Sequence, residues 1–327
     1  LSVEGVSYFN MSGMQNLTNL DFRRENGSVV FTPNDSVRGY VQSGAVELPP
    51  ISGKLTMTWE HVTLDNPNLG AQNAIPGLDV LSPTWFNLMD ANGGMANRAS
   101  AAYVESAHRR GYRVWGLVSN SFNAAMTTAL FKNARAMNLF MARLIIYAKL
   151  YGLDGVNIDF EGMNETDRAQ FVRFVARISE LLRPEGLTLS VDVFIPANTK
   201  SSRSHDRGEL AKYVDYVMLM AYDEHWRTSP RAGSVASMPW VTKAVEGTLA
   251  EGVPPSKLVL GVPFYMRRWE ETKANGGVKV KGYTLTMAEA EELAAKRGAQ
   301  MQWLETPGQY YFTYVANGKV QKIWVEN

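Results

Sequence analysis

From residue 54 onward, short apolar runs alternate with longer stretches of helical period. The runs at 55–59, 78–82, 113–118, 155–160, 187–193, 216–220 and 258–262 are rich in β-branched and aromatic residues and read as strands. Between them, 100–110 reads as a helix with Gly111 as its C-cap. A longer helix is predicted over 127–150, where Leu130, Ala134, Met137, Met141, Leu144 and Ala148 step by threes and fours, which makes the two methionines core rather than ligands. Phe171, Phe174, Val175, Ile178 and Leu182 line one side of a further helix over 166–182. Strand followed by helix, repeated in this way, predicts an α/β chain with a parallel sheet. No glycine-rich phosphate loop follows the first strand, so a (β/α)8 TIM-type barrel fits better than a doubly wound sheet.

The two ends have a different texture. Residues 1–50 read as an N-terminal extension of polar segments and turns, with Asn26-Gly27 as a hairpin turn before Val29-Val30-Phe31, a second turn at Pro33-Asn34-Asp35 and a stiff stop at Pro49-Pro50. Its apolar content is too thin for a core of its own. Residues 51–266 hold the barrel pattern. In 267–327, Gly276-Gly277 is a turn, Thr286 with Glu289 is a capping box for a helix over 287–297, and Gly298 closes that helix. Runs at 310–315 and 320–325 then form a hairpin around Asn317-Gly318, so a small α+β insertion after strand seven is expected.

Composition narrows the function classes. No apolar run approaches the roughly 18 residues of a membrane-spanning helix. Lys and Arg number 33 against 32 Asp and Glu, a net charge of +1, which gives no electrostatic reason to expect nucleic acid. The chain has no cysteine, and its four histidines (His61, His108, His205, His225) show no zinc-ligand spacing, so no metal is expected. The chain opens at Leu1 without a charged-then-apolar leader and reads as a processed piece, expected to be a monomer.

Residues 154–161, DGVNIDFE, carry the chemistry. Period-two geometry puts Asn157, Asp159 and Glu161 on one face and leaves Val156, Ile158 and Phe160 to pack against helices. Carboxylates two apart on a strand lie roughly 6–7 Å apart, close enough to serve one sugar or one proton path. Asp154, at the start of the run, reads as structural. Capping or ion pairing is the plain alternative, but buried unpaired carboxylates cost several kcal/mol, which argues against acids placed there for packing alone.

This run resembles the D-x-x-D-x-D-x-E signature of glycoside hydrolase family 18, the chitinase-like family, with Asn157 in place of the second Asp. Met220-Ala221-Tyr222-Asp223 matches that family's M-x-Y-D strand end. SPTWF from Ser82, VSNSF ending at Phe122, MAYDEHW from Met220 and GVPFY from Gly261 look like its bacterial branch of sporulation and cortex-lytic glycosidases. The resemblance covers residues 54–327.

It implies that Glu161 is the general acid and later the base, kept protonated by burial and by the charge of Asp159. It also implies that Asp159 stabilises the substrate's acetamido N–H, that Tyr222 holds the acetamido oxygen and that Asp223 binds hydroxyls. Asn157 removes a charge that would tune Asp159, which bears on pH optimum and rate. Trp85, Asn120, Trp226, Tyr265 and Met220 are further candidate substrate contacts, with Glu224, His225 and Arg267 as cleft candidates. Phe86, Phe122 and Trp269 are aromatic residues at strand ends.

The family's insertion after strand seven and an eighth strand beyond Asn327, absent here, are part of the same expectation. So is a retaining glycosidase acting without cofactor on β-1,4-linked N-acetylglucosamine polymers, peptidoglycan fragments or chitin, in an extracellular, cell-wall or spore setting. The rivals are a non-catalytic, lectin-like glycan-binding barrel, for which Asn157 and the absent eighth strand count, and a structural or inhibitor barrel.

Overall fold

The structure is a computed structural model that describes residues 48–273 and 276–326, together with the backbone at 2–3, 6–7, 20–25, 28–33 and 274. The chain divides into two compact units, Leu1–Asp192 with Arg203–Tyr216, and Val193–Ser202 with Val217–Asn327.

In the first unit, β1 (Met57–Glu60), β2 (Val80–Pro83), β3 (Arg113–Ser119), β4 (Gly155–Asp159) and β5 (Thr188–Phe194) are parallel and hydrogen-bond in that order. The apolar runs end where expected because each is bounded by a turn or a capped helix. Helix α1 (Ala101–His108) starts on the Ser100 hydroxyl, which accepts from Tyr103 N, and Gly111 takes φ +84° just beyond its end. Gly155 opens β4 because a Cβ there would meet Thr188 O at 2.6 Å and Trp115 Cδ1 at 2.7 Å.

The single helix expected over 127–150 is two helices, α2 (Ala124–Lys132) and α3 (Ala134–Leu150). Asn133 breaks it: the residue is extended (φ −110°, ψ 95°) and its side chain caps α3 by accepting from Ala136 N at 3.1 Å. Leu130, Met141, Leu144 and Ala148 are buried as expected, but Ala134 is exposed and Met137 only half-buried. The stripe on α3 runs through Ala136, Phe140, Met141, Leu144 and Tyr147 instead.

Helix α4 (Arg168–Leu182) buries Phe171, Phe174, Val175, Ile178 and Leu182. Phe160 lies among Phe174 at 5.2 Å, Phe171 at 5.8 Å and Phe131 and Phe140 at 6.3 Å between centroids, so the apolar face of the DGVNIDFE run is closed by helices. Each such ring contributes about 1.5–3 kcal/mol by burial. A short antiparallel pair, Phe86–Leu88 with Met95–Asn97, precedes α1 and had no signal in the periodicity. Near the N-terminus, Leu20–Glu25 pairs antiparallel with Ser28–Pro33 on either side of 26–27. The turns expected at Asn26-Gly27 and Pro33-Asn34-Asp35 lie outside the described residues.

The second unit holds the parallel pair β6 (Tyr216–Met220) and β7 (Leu258–Gly261), with α5 (Met238–Ala250) between them in sequence. Downstream, β8 (Tyr265–Ala274), β9 (Gly277–Thr286), β10 (Gln302–Leu304), β11 (Gln309–Ala316) and β12 (Lys319–Val325) form an antiparallel sheet in the order β9-β8-β12-β11-β10. Helix α6 (Met287–Arg297) begins on the Thr286/Glu289 capping box and ends at left-handed Gly298. The β11–β12 hairpin turns on Asn317 (φ 50°) and Gly318 (φ 69°), the left-handed pair of a type I′ turn. Met266, Ala290, Ala294, Phe312, Ile323 and Val325 form a hydrophobic core cluster here. Among the described residues no helix is long and apolar enough to cross a membrane.

Candidate active site

Chemistry collects at the C-terminal end of β4, where parallel α/β folds place it. Asn157 is fully buried and is the hub of a polar network. Its Oδ1 accepts from Trp59 Nε1 at 2.9 Å and from Ser82 Oγ at 3.2 Å, and its Nδ2 donates to Asp192 Oδ1 at 2.8 Å. The same indole N–H lies 3.2 Å from Asp192 Oδ2. The amide is therefore used up inside the protein, and the expectation that Asn157 touches substrate is corrected.

The β4–β5 register pairs Asn157 with Ser190 and Ile158 with Val191, so one step further along Asp159 faces Asp192 across strands about 4.8 Å apart. Asp192 is 2% exposed. Burial first, and then the charge of Asp159, push its carboxyl well above the ordinary range, with Glu161 adding to the rise and Asn157 and Trp59 opposing it. Burial raises Asp159 to about 7. Asp159 Oδ1 is enclosed and has no hydrogen-bond partner.

Glu161 follows β4 and is half-buried. Asn120, at the end of β3, grips its peptide on both sides: Oδ1 accepts from Glu161 N at 3.0 Å and Nδ2 donates to Glu161 O at 2.7 Å. Asn120 Nδ2 also donates to Thr127 Oγ1 at 2.9 Å, and its Oδ1 accepts from Phe122 N at 3.2 Å. Asn120 is thus a buried positioning group, not a substrate contact. The neighbouring backbone is strained, since Ser121 (φ 57°) and Phe122 (φ 55°) are left-handed without being glycine, at about 1–3 kcal/mol each. Gly162 (φ +63°) lies against them, where a Cβ would come 3.2 Å from Phe122 O. Asp154 accepts from Val114 N at 2.7 Å and pairs with His108 Nε2 at 2.8 Å, a structural role.

In the second unit, Tyr222 and Asp223 follow β6 and are half-buried, and Asp223 is left-handed (φ 61°). Asp223 Oδ1 accepts from Tyr265 Oη at 2.8 Å and from Arg267 at 2.9 Å. The Arg267 guanidinium covers the Tyr265 ring at 4.6 Å and also donates to Thr284. Tyr222 meets Tyr265 edge to face at 6.4 Å. Burial, then the Asp223 charge, raise the Tyr265 phenol above its ordinary range. Arg267 is consequently an internal counter-ion rather than a free cleft cation. Glu224 accepts from Ser237 N at 3.0 Å and His225 Nδ1 donates to Ser234 O at 2.8 Å, so both pin the loop that follows β6.

The remaining aromatic candidates separate by exposure. Trp85 is 0% exposed, its indole N–H taken by Asn66 and its ring edge-on to Tyr103, so it is core and not a sugar platform. Met220 and Trp269 are buried as well, the latter donating to Gly233 O. Trp226, 51% exposed, and Phe122 are open to solvent. Among the described residues no group of three or more His, Cys, Asp or Glu is arranged to hold a metal.

Comparison with known proteins decides the family: Glycosyl hydrolases family 18 matches residues 115–326. The chain belongs to that family. It is therefore a glycoside hydrolase by family. It is 28% identical to the uncharacterized glycosylase YvbX of Bacillus subtilis (strain 168) over 256 residues, 73% of this chain and 70% of that protein. To the cortical fragment-lytic enzyme of Bacillus anthracis it is 26% identical over 220 residues, 65% of this chain and 50% of the other. The crystal structure of a chitinase from Chromobacterium violaceum ATCC 12472 superposes with a TM-score of 0.72 at 22% identity, covering 84% of this chain and 87% of that one, a likeness of fold.

Within the family signature, Asn157 and Asp159 lie on β4 and Glu161 follows it two residues on. Asp192, Trp59 and Ser82 were not singled out from the sequence. For Asp192 a signal existed, a lone acid inside the apolar run 187–193, which is costly unless something nearby needs it.

Proposed function

We propose that the chain is a retaining glycosidase that hydrolyses β-1,4-linked N-acetylglucosamine polymers by substrate-assisted catalysis. The observation that carries the reading is the enclosed carboxylate set at the end of β4, with the peptide of Glu161 clamped by Asn120 and Asp159 raised to about 7 beside it. Glu161 gives its proton to the glycosidic oxygen while the substrate's acetamido oxygen attacks the anomeric carbon, the leaving sugar departs, and an oxazolinium ion forms. Asp159 accepts the acetamido N–H and balances the positive charge, and Tyr222 donates its hydroxyl to the acetamido oxygen before attack. Glu161 then removes a proton from water, which opens the ring from the same face and returns the original configuration. The substrate supplies the nucleophile, so the reaction needs no cofactor.

Asp223 and the exposed Trp226 complete the proposed sugar contacts. The same reading divides the chain into an extension (1–50), a catalytic (β/α)8 barrel (51–266) and an α+β insertion with the barrel's end (267–327). The name of the cortical fragment-lytic relative supports peptidoglycan fragments over chitin, and action at the wall or spore. Glu161→Gln tests the acid: release of reducing ends from N-acetylglucosamine oligomers should vanish while binding persists. Turnover unchanged in that variant removes Glu161 from the mechanism, and binding without turnover by the parent chain points to a lectin. Mass spectrometry of products from peptidoglycan and chitin side by side assigns the polymer.

A further inference from the structure

Position 157 holds an amide where the family signature has an acid, yet the cluster on this face still contains three carboxyls. Two of them, Asp159 and Asp192, face each other from neighbouring strands, and Asp192 is sealed from solvent. Two carboxylates this close and this dry do not both ionise, so the pair keeps one proton near neutral pH. The groups acting most strongly on Asp192 are Asp159 on β4, Glu161 just beyond it and its own donors Asn157 and Trp59, and none of them is a cation. Asn157 cannot hold the proton. With its Oδ1 accepting from Trp59 and Ser82, its remaining capacity is to donate, and it donates to Asp192. Asp159 Oδ1, meanwhile, is a buried acceptor with nothing donating to it.

We infer that Asp192 is a positioning residue that shares one proton with Asp159, taking over from β5 the task left open by the amide at 157. The inference rests on the roles proposed above for Glu161 and Asp159. In the resting site the proton lies between the two carboxyls and satisfies Asp159 Oδ1. As positive charge develops on the acetamido group the proton goes to Asp192, Asp159 becomes the anion that faces the oxazolinium, and the proton returns when the ring opens. The pair holds one proton throughout, so no other donor or acceptor is required. Asp192 touches no substrate. Asn157 and Trp59 hold its two oxygens in place, which explains why a Trp and a Ser from β1 and β2 converge on an amide rather than on the sugar.

The test uses Asp192→Asn, the exchange Asn157→Asp/Asp192→Asn and Glu161→Gln, with a chromogenic N-acetylglucosamine oligomer. Asp192→Asn should lower kcat about 10²-fold with KM within about threefold. It should also move the alkaline limb of the kcat profile to higher pH, because Asp159 loses the neighbour that helps it keep a proton and its fuller charge holds the proton on Glu161. The exchange variant, with an acid again on this face, should recover at least tenfold of that loss and return the limb towards its original position. A merely structural Asp192 would change the unfolding midpoint and leave the limb unmoved. Asp192→Asn with parental kcat, a rate loss with an unmoved limb, or a folded exchange variant as slow as Asp192→Asn each overturns the inference.

If Asp192→Asn does not fold, carboxyl ¹³C titration of Glu161→Gln gives the same answer: two coupled steps are expected, and two independent, unperturbed acids overturn it. Full activity in Glu161→Gln would instead sink the reading of Glu161, a failure separate from any result at Asp192.

Discussion

Replacing Asn120 by Asp changes one NH2 into an oxygen without changing shape, and the surroundings make that severe. The lost donors served Glu161 O at 2.7 Å and Thr127 Oγ1 at 2.9 Å. Thr127 cannot turn its own proton round to help, because that proton is committed to Asn123 O at 2.8 Å. Two buried acceptors are left facing a third, at about 1–3 kcal/mol each, or about 2–6 kcal/mol together. Protonation of the new acid restores one donor and brings the loss to the lower end. Against the 5–15 kcal/mol typical of a folded chain, either figure shows in urea unfolding.

Because the same two bonds fix the peptide of Glu161, kcat should fall as well, by about 10²-fold for a displacement near 1 Å. Thr127→Val, which removes one acceptor and leaves the clamp on Glu161, should cost about 1 kcal/mol and keep kcat within a few-fold. Asn120→Asp losing under about 1 kcal/mol with parental kcat would refute the argument that this amide holds the acid in place.

Two further predictions concern stability. Glu326 is 7% exposed, and burial, only partly offset by Gln309 and the neighbouring amides, raises it from 4.5 to about 7. Between those values the folded chain keeps a proton that the unfolded chain has released, so stability falls as pH rises from 4.5 to about 7, by about 3 kcal/mol at 1.36 kcal/mol per pH unit. Glu326→Gln should flatten that part of the urea-midpoint curve relative to the parent, and parallel curves would refute it. Thr286→Ala removes both the hydroxyl that caps α6 and half of the reciprocal box with Glu289, and should cost about 1 kcal/mol by thermal unfolding without altering kcat.

What was legible in the chain is what is encoded locally. The capping box at Thr286, the Asn317-Gly318 turn and the seven parallel strands each follow from residues within a few positions of one another. The break at Asn133 was missed because core-facing residues continue on both sides of it, Leu130 before and Met141 after, and one capping side chain outweighs that continuity. Asn157, Asp159 and Glu161 stood out because polar residues recur at period two through an otherwise apolar run, of which β4 takes the first part. Asp192 did not, because its meaning comes from a partner 35 residues away across a strand pair, which only the register supplies. Trp85 was misplaced for a similar reason: it abuts a short strand pair that periodicity does not announce, and that environment buries it.

The strain in the backbone follows the same division between locally and distantly encoded structure. Among the described residues four non-glycine positions have positive φ: Ser121, Phe122, Asp223 and Asn317. Asn317 is in a hairpin turn that favours it, so its conformation needs no outside support. The other three do not sit in such a hairpin, and a left-handed Phe is especially costly. Each is held by side chains distant in sequence or by a buried amide. Asn120 accepts from Phe122 N, Ser121 Oγ donates to Leu88 O at 2.8 Å, and Asp223 is tied to Tyr265 and Arg267 more than 40 positions downstream. Strain of this size persists only where surrounding contacts over-determine it, and here those contacts converge on the loop beside Glu161 in one unit and on the residue after Tyr222 in the other. Stability is thus given up next to the two side chains on which the proposed chemistry depends, and is restored through bonds that only the folded chain can make.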